Sequence, residues 1–237
     1  MPTRIEITTD DGVCPTLLFG DPSAPSVLVY IDGIGMRPAM HAIADRIASA
    51  GFHVMLPDLF YRIGPYTAPE PAKLFTDPTV RAAWQARLAP TANAANAMRD
   101  TRVFLAHLPG AKLGVTGYCM GGRMALTAAG TFPERIAAAA AYHPGYVATD
   151  APDSPHRLAA SIKARVYVGA ASDDPTFPDD QQQRLAEALA AAHVDHVLET
   201  YPAKHGWVPS DTPAYDAAAA ERHFETLIAL LRGALTA

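Results

Sequence analysis

Leu113-Gly114-Val115-Thr116-Gly117-Tyr118-Cys119-Met120-Gly121-Gly122-Arg123-Met124-Ala125-Leu126 is the stretch whose reading decides the fold. Lys112 to Thr116 reads as a strand, and residues 121–131, with small and apolar side chains at helical spacing, read as a helix. Between them stands Gly-x-Cys-x-Gly. A strand that turns straight into a helix must do so in a sharp, strained bend. Side chains at Gly117 and Gly121 would collide with the neighbouring strand and helix, so glycine is required at both places.

Outward from this bend, apolar runs and helical patterns alternate along the chain. Ile5–Thr8 and Val13–Phe19 read as a leading hairpin turned by Asp10-Asp11-Gly12. Ser26–Ile31 is a continuous apolar run, as expected of a strand covered on both faces. Pro38–Ala50 is a helical pattern stopped by Gly51. His53–Pro57, Ile136–Ala141, Arg165–Val168 and His196–Tyr201 are further strands, and residues 91–108, 178–192 and 214–232 further helices. Such alternation predicts one α/β domain over residues 1–237, with a mostly parallel central sheet and helices on both faces. Arg62 to Pro90 breaks the rhythm. It holds Pro65, Pro69, Pro71, Pro78 and Pro90 among aromatic residues, and is expected to be an irregular, proline-rich insertion.

Bulk properties exclude several classes. The net charge of -5 and the absence of any lysine or arginine run leave no electrostatic source for binding nucleic acid or an anionic membrane. No apolar stretch approaches the ~20 residues that a spanning helix needs. The charged start, Met1-Pro2-Thr3-Arg4, does not resemble a signal peptide. Cys14 and Cys119 are too few for a disulfide framework, so the expectation is a reduced, cytoplasmic protein.

A lone cysteine is more often a small buried hydrophobe than a reagent. At Cys119 the surroundings reverse that default. The bend sets the thiol at a helix N-terminus, where free N–H groups and the macrodipole favour thiolate, and directs the Met120 N–H toward a developing oxyanion. Hydrolases with this elbow carry their acid and then their histidine later in the chain. Asp173 and Asp174 follow the Arg165–Val168 strand, and His205 follows the strand ending at Tyr201. In that order His205 is the candidate base for Cys119, with either aspartate available to orient the imidazole. His193 and His196 have no cysteine or third histidine nearby, so no metal site is expected.

Gly117-Tyr118-Cys119-Met120-Gly121-Gly122 closely resembles the elbow of the dienelactone hydrolase family. Leu56-Pro57-Asp58-Leu59-Phe60-Tyr61, Asp174-Pro175-Thr176-Phe177-Pro178 and His205-Gly206-Trp207 are similar to three further segments of that family. The resemblance runs from about residue 5 to 232 and implies an α/β-hydrolase fold, no cofactor, and hydrolysis of small-molecule esters or lactones by a cysteine–histidine–aspartate triad. It selects Asp174 as the acid. It implies that Asp32 is the carboxylate that contacts the resting thiol, and that Gly33 or Ile34 supplies the second oxyanion donor. Aspartate at position 32 is one methylene shorter than the family's glutamate. The family's two substrate-clamping arginines are not reproduced: Val208 and Pro209 follow Gly206-Trp207, and Arg81 is the nearest cation in the insertion. A less anionic ester or lactone is therefore expected. Tyr61, Arg81, Trp84, Tyr142 and His143 are candidate pocket walls, and the protein is expected to be a monomer or small homo-oligomer. The competing reading is a binding or sensing protein that keeps the fold without turnover.

Overall fold

The computed structural model describes residues 1–236. Its centre is one eight-stranded sheet, and the leading hairpin forms one edge of it. β1 (Thr3–Thr9) pairs antiparallel with β2 (Gly12–Phe19), and β2 pairs antiparallel with β4 (His53–Pro57). All later neighbours are parallel: β4 with β3 (Ser26–Tyr30), β3 with β5 (Leu113–Tyr118), then β6 (Ile136–Tyr142), β7 (Arg165–Asp173) and β8 (His196–Lys204). The order β1-β2-β4-β3-β5-β6-β7-β8 makes β3 and β5 central. Every residue of these two strands is buried, the condition their unbroken apolar runs predict. Each Val or Leu removed from water there contributes about 1.5–3 kcal/mol.

The helices are α1 (Pro38–Ser49), α2 (Pro71–Thr76), α3 (Pro78–Leu88), α4 (Ala94–His107), α5 (Met120–Thr131), α6 (Asp179–Ala191) and α7 (Ala217–Leu235). Among the described residues no helix is long and apolar enough to cross a membrane. Two expectations need correction. The proline-rich stretch is not irregular throughout, because it contains α2 and α3. Pro71 and Pro78 open those helices at positions whose N–H would go unused, and the Asp77 carboxylate accepts the N–H groups of Thr79 (2.8 Å) and Val80 (3.3 Å). The seventh strand also runs on past Val168 to Asp173. Gly169-Ala170-Ala171 looks like loop because the residues are small. At Gly169 the small size is imposed by the rings of Tyr142 and Tyr201: a Cβ there would lie 2.8 Å from Tyr142 and 3.1 Å from Tyr201. Asp174 is therefore the first residue beyond the strand.

Candidate active site

The bend between β5 and α5 has the sterics expected of it. Cys119 sits at φ 55°, a left-handed conformation that costs a non-glycine residue on the order of 1–3 kcal/mol. Its N–H donates to the Tyr142 carbonyl (3.0 Å), while its own carbonyl accepts from Gly122 (3.0 Å) and Arg123 (3.3 Å). A Cβ on Gly117 would lie 2.1 Å from the Gly121 carbonyl oxygen, and one on Gly121 would lie 2.3 Å from that of Tyr30. No substitution fits without parting β3, β5 and α5. Among the described residues the Met120 N–H has no acceptor, and the half-buried Cys119 side chain beside it lines a cavity of about 530 Å³.

His205 and Asp174 line the same cavity. The Asp174 Oδ2 lies 2.6 Å from His205 Nδ1, and its Oδ1 accepts from the Thr176 N–H (2.8 Å) and hydroxyl (2.7 Å). Burial works against the Asp174 charge, but His205 and Thr176 outweigh it and hold the carboxyl below its usual range. An ionised Asp174 accepts from Nδ1, which leaves Nε2 for Cys119. Burial also disfavours a charged His205. Cys119 on one side and Asp174 on the other reverse this and push the imidazolium up to about 10. Asp173 takes a different part: its side chain is exposed, and its carbonyl accepts the His205 N–H (3.3 Å).

The loop after β3 departs from expectation at two residues. Asp32 lines the cavity but is not paired with the thiol. Both of its oxygens accept from Arg37, Oδ1 from Nη1 and Oδ2 from Nη2 at 2.8 Å each. Oδ1 also accepts the Ile34 N–H (3.0 Å). Arg37, five residues along, thus claims the carboxylate, and Ile34 is spent as a donor within its own loop. Gly33 keeps an N–H without an acceptor among the described residues, while its carbonyl accepts from Trp84 Nε1 (2.8 Å).

Of the candidate pocket walls, Arg81, Trp84 and His143 line the cavity. Tyr61 and Tyr142 do not. The Tyr61 hydroxyl meets Thr9 (2.6 Å) and donates to Asp100 (3.1 Å), facing a separate groove beside the leading hairpin. Tyr142 is fully buried and reaches Thr226 on α7 (3.0 Å). Residues that leave a strand in succession point to opposite faces, so Tyr142 faces α7 while His143 faces the cavity. The buried His143 ring lies 5.2 Å from the His205 ring, centroid to centroid. Burial first, and then the nearby His205 and His223 rings, hold its pKa well below the ordinary value, so His143 is neutral.

Phe75, one of the insertion's aromatic residues, also lines the cavity, and sequence reasoning passed over Leu74, Arg123 and Tyr146, which line it too, and the buried Arg37. The arginine directly before Pro38 reads as an ordinary polar residue at a helix start, and nothing local marks its distant partner Asp211. Thr176, two residues after Asp174, is a readable signal, since a hydroxyl at that spacing closes onto an aspartate in a turn. Among the described residues no group of three or more His, Cys, Asp or Glu is arranged to hold a metal ion.

Comparison with known proteins adds an independent finding. The model of the dienelactone hydrolase family matches residues 15–235. The chain is 25% identical over 213 residues to a protein of Escherichia coli (strain K12) named "Putative carboxymethylenebutenolidase", covering 88% of this chain and 76% of that one. A protein of the same name from Methylorubrum extorquens is 27% identical over 239 residues, covering 94% and 78%. Among solved structures, one titled "Putative Dienelactone Hydrolase" from Klebsiella pneumoniae superposes with a TM-score of 0.83 at 21% identity, covering 98% of each chain. A dienelactone hydrolase-like promiscuous phosphotriesterase from metagenomic libraries superposes at 0.75, also at 21% identity, over 99% of this chain and 98% of that one. At such identities the superpositions speak for the α/β-hydrolase fold alone.

Proposed function

The chain belongs to the dienelactone hydrolase family and is an ester- or lactone-cleaving hydrolase of that type, and from this premise we propose that it acts through Cys119, His205 and Asp174. The reading rests chiefly on the Asp174–His205 pair at 2.6 Å, which opens onto the cavity that also holds Cys119. With a proton on His205 and the charge on sulfur, Sγ attacks the substrate carbonyl carbon and a C–S bond forms. The oxyanion is met by the Met120 and Gly33 N–H groups. As the oxyanion collapses, the C–O bond breaks and the leaving oxygen takes the Nε2 proton of His205, giving an acyl-thioester. His205, now neutral, takes a proton from water as that water attacks the thioester carbonyl. The C–S bond breaks, the acid departs, and the thiolate–imidazolium pair is restored. Asp174 holds the ring in one tautomer and orientation throughout.

The walls support a largely apolar substrate. Ile34, Leu74, Phe75, Trp84, Met120 and Tyr146 line the cavity that Cys119 also lines. The Arg123 guanidinium is engaged with the Tyr146 carbonyl and with Asp153 (2.9 Å), which leaves Arg81 as a single exposed cation at the rim. One arginine cannot form a two-sided clamp on a substrate carboxylate. We therefore read the preferred substrate as a small, weakly polar ester or lactone. A panel of activated esters and lactones, including a dienelactone, tests this. Wild type should cleave neutral members faster than the dienelactone, and Cys119→Ala should cleave none. Equal rates for the two proteins across the panel would end the cysteine reading.

A further inference from the structure

Arg37 is nearly sealed, with 5% of its side chain exposed, yet no step above uses it. All five of its N–H donors have acceptors. Nη1 donates to Asp32 Oδ1 (2.8 Å) and the Gly35 carbonyl (3.2 Å). Nη2 donates to Asp32 Oδ2 (2.8 Å) and Asp211 Oδ1 (3.1 Å), and Nε donates to Asp211 Oδ2 (2.8 Å). A buried guanidinium gripping two carboxylates in forked geometry fixes position more tightly than a point charge would. Its two partners belong to segments far apart in the chain.

Asp32 begins the loop that carries the Gly33 N–H, and its Oδ1 also accepts from Ile34 (3.0 Å) and Gly35 (3.4 Å). Asp211 lies in the loop that follows His205. Its neighbour Thr212 lines the cavity and donates its hydroxyl to the Gly206 carbonyl (2.7 Å), one residue beyond His205. One buried side chain thus ties the loop bearing an oxyanion donor to the loop bearing the base. Replacing a buried ion pair by apolar residues is often neutral or favourable for stability, so stability alone is a poor account of this arrangement.

We propose that Arg37 is a positioning residue for hydrolysis: through Asp32 and Asp211 it sets the Gly33 N–H at the distance from Cys119 and His205 that the oxyanion requires. This rests on the reading of Cys119 as nucleophile and Gly33 as oxyanion donor. Arg37 touches no reacting atom. Its effect is confined to the step in which negative charge develops on the carbonyl oxygen, so a rate that builds no oxyanion is insensitive to it.

Two rates measured on each variant test this: kcat and KM for an activated ester, and alkylation of Cys119 by iodoacetamide, which displaces iodide and forms no oxyanion. Loss of one oxyanion donor costs about 10²–10³ in kcat, and a misplaced donor somewhat less. Arg37→Gln should therefore lower kcat at least about thirtyfold, with KM and the alkylation rate within about threefold of wild type. Arg37→Lys, which keeps the charge and loses the fork, should recover only part of that loss. An unchanged kcat in Arg37→Gln, or a parallel fall in kcat and alkylation, overturns the proposal. If Arg37→Gln does not fold, Asp211→Asn decides. That carboxylate is one-third exposed, and the variant should lose about fivefold or more in kcat with alkylation unchanged; no loss overturns the proposal. Cys119→Ala run alongside separates the two claims. If it hydrolyses like wild type, the nucleophile reading fails; if it is inactive while Arg37→Gln matches wild type, the positioning role alone fails.

Discussion

The cavity has a buried aspartate on each side, and locally the two are built alike. Asp174 follows β7 and Asp32 follows β3, with 6% and 3% exposure. Each closes a turn by accepting the N–H two residues on, Thr176 at 2.8 Å and Ile34 at 3.0 Å. Each spends its remaining capacity on a cation. They differ in which one. Asp174 holds the imidazole of His205, and Asp32 holds the guanidinium of Arg37. An imidazole gives and takes a proton within reach of neutral pH, whereas a guanidinium stays charged throughout. The same carboxylate turn therefore serves proton transfer on one side and placement on the other.

The largest effect expected from breaking this contrast is at Asp174. Asp174→Asn keeps the shape of the turn but offers Nδ1 an amide, which allows the wrong tautomer. For a comparable triad that change costs about 10⁴ in kcat. A loss of about 10³–10⁴ is expected here, read from steady-state kinetics on an activated ester. A loss under tenfold would mean that Asp174, like Asp32, does no more than hold a loop.

The next effect is on charge. His205 is held up to about 10, although burial pulls it down, because Cys119 and Asp174 outweigh burial. Removing the sulfur in Cys119→Ala should move the imidazole titration downward, followed by NMR of the ring protons. A group raised in the folded state adds stability that is complete below its unfolded value of 6.5, and that is lost as pH climbs through about 10. Asp174, being lowered, behaves oppositely: its contribution is present above 3.8 and disappears as pH falls through its folded value. Urea titrations of wild type should therefore show stability declining between pH 7 and pH 10.5, and Cys119→Ala should show a shallower decline. A titration unmoved by the substitution would mean that the thiol and the ring do not interact.

The two sides also differed in how far the sequence disclosed them. Gly117 and Gly121 are forced by contacts of 2.1 and 2.3 Å to backbone, so the elbow leaves its mark in the residues themselves. Strand ends place Cys119, the Asp173–Asp174 pair and His205 in that order, and the resemblance to the dienelactone hydrolase family is what selects Asp174. Arg37 and Asp211 were illegible because 174 positions separate them and neither loop has a pattern of its own. Asp32 departs from expectation for a different reason: Arg37, only five residues on, takes its carboxylate, and only the folded chain shows which way that arginine turns. The prolines of the insertion misled because proline reads as a breaker but also opens helices, as Pro71 and Pro78 do. Tyr61 and Tyr142 failed as wall residues because an aromatic ring near a site in sequence faces either side of the sheet.

The smallest effect expected is at Trp84, where the insertion meets the Asp32 side of the cavity. Its ring packs against Phe60 and Tyr66, with centroids 6.0 and 5.7 Å away, and its Nε1 donates to the Gly33 carbonyl at 2.8 Å. Trp84→Phe keeps most of the packing and removes that donor. A net hydrogen bond is worth about 0.5–1.5 kcal/mol, which corresponds to roughly two- to twelvefold in rate if it steadies the Gly33 N–H in the transition state. kcat should fall within that range, with KM nearly unchanged and Asp174–His205 chemistry, read from iodoacetamide alkylation, untouched. A change confined to KM would make Trp84 a wall for substrate and nothing more. The Gly33 donor would then be held from the Arg37 side alone.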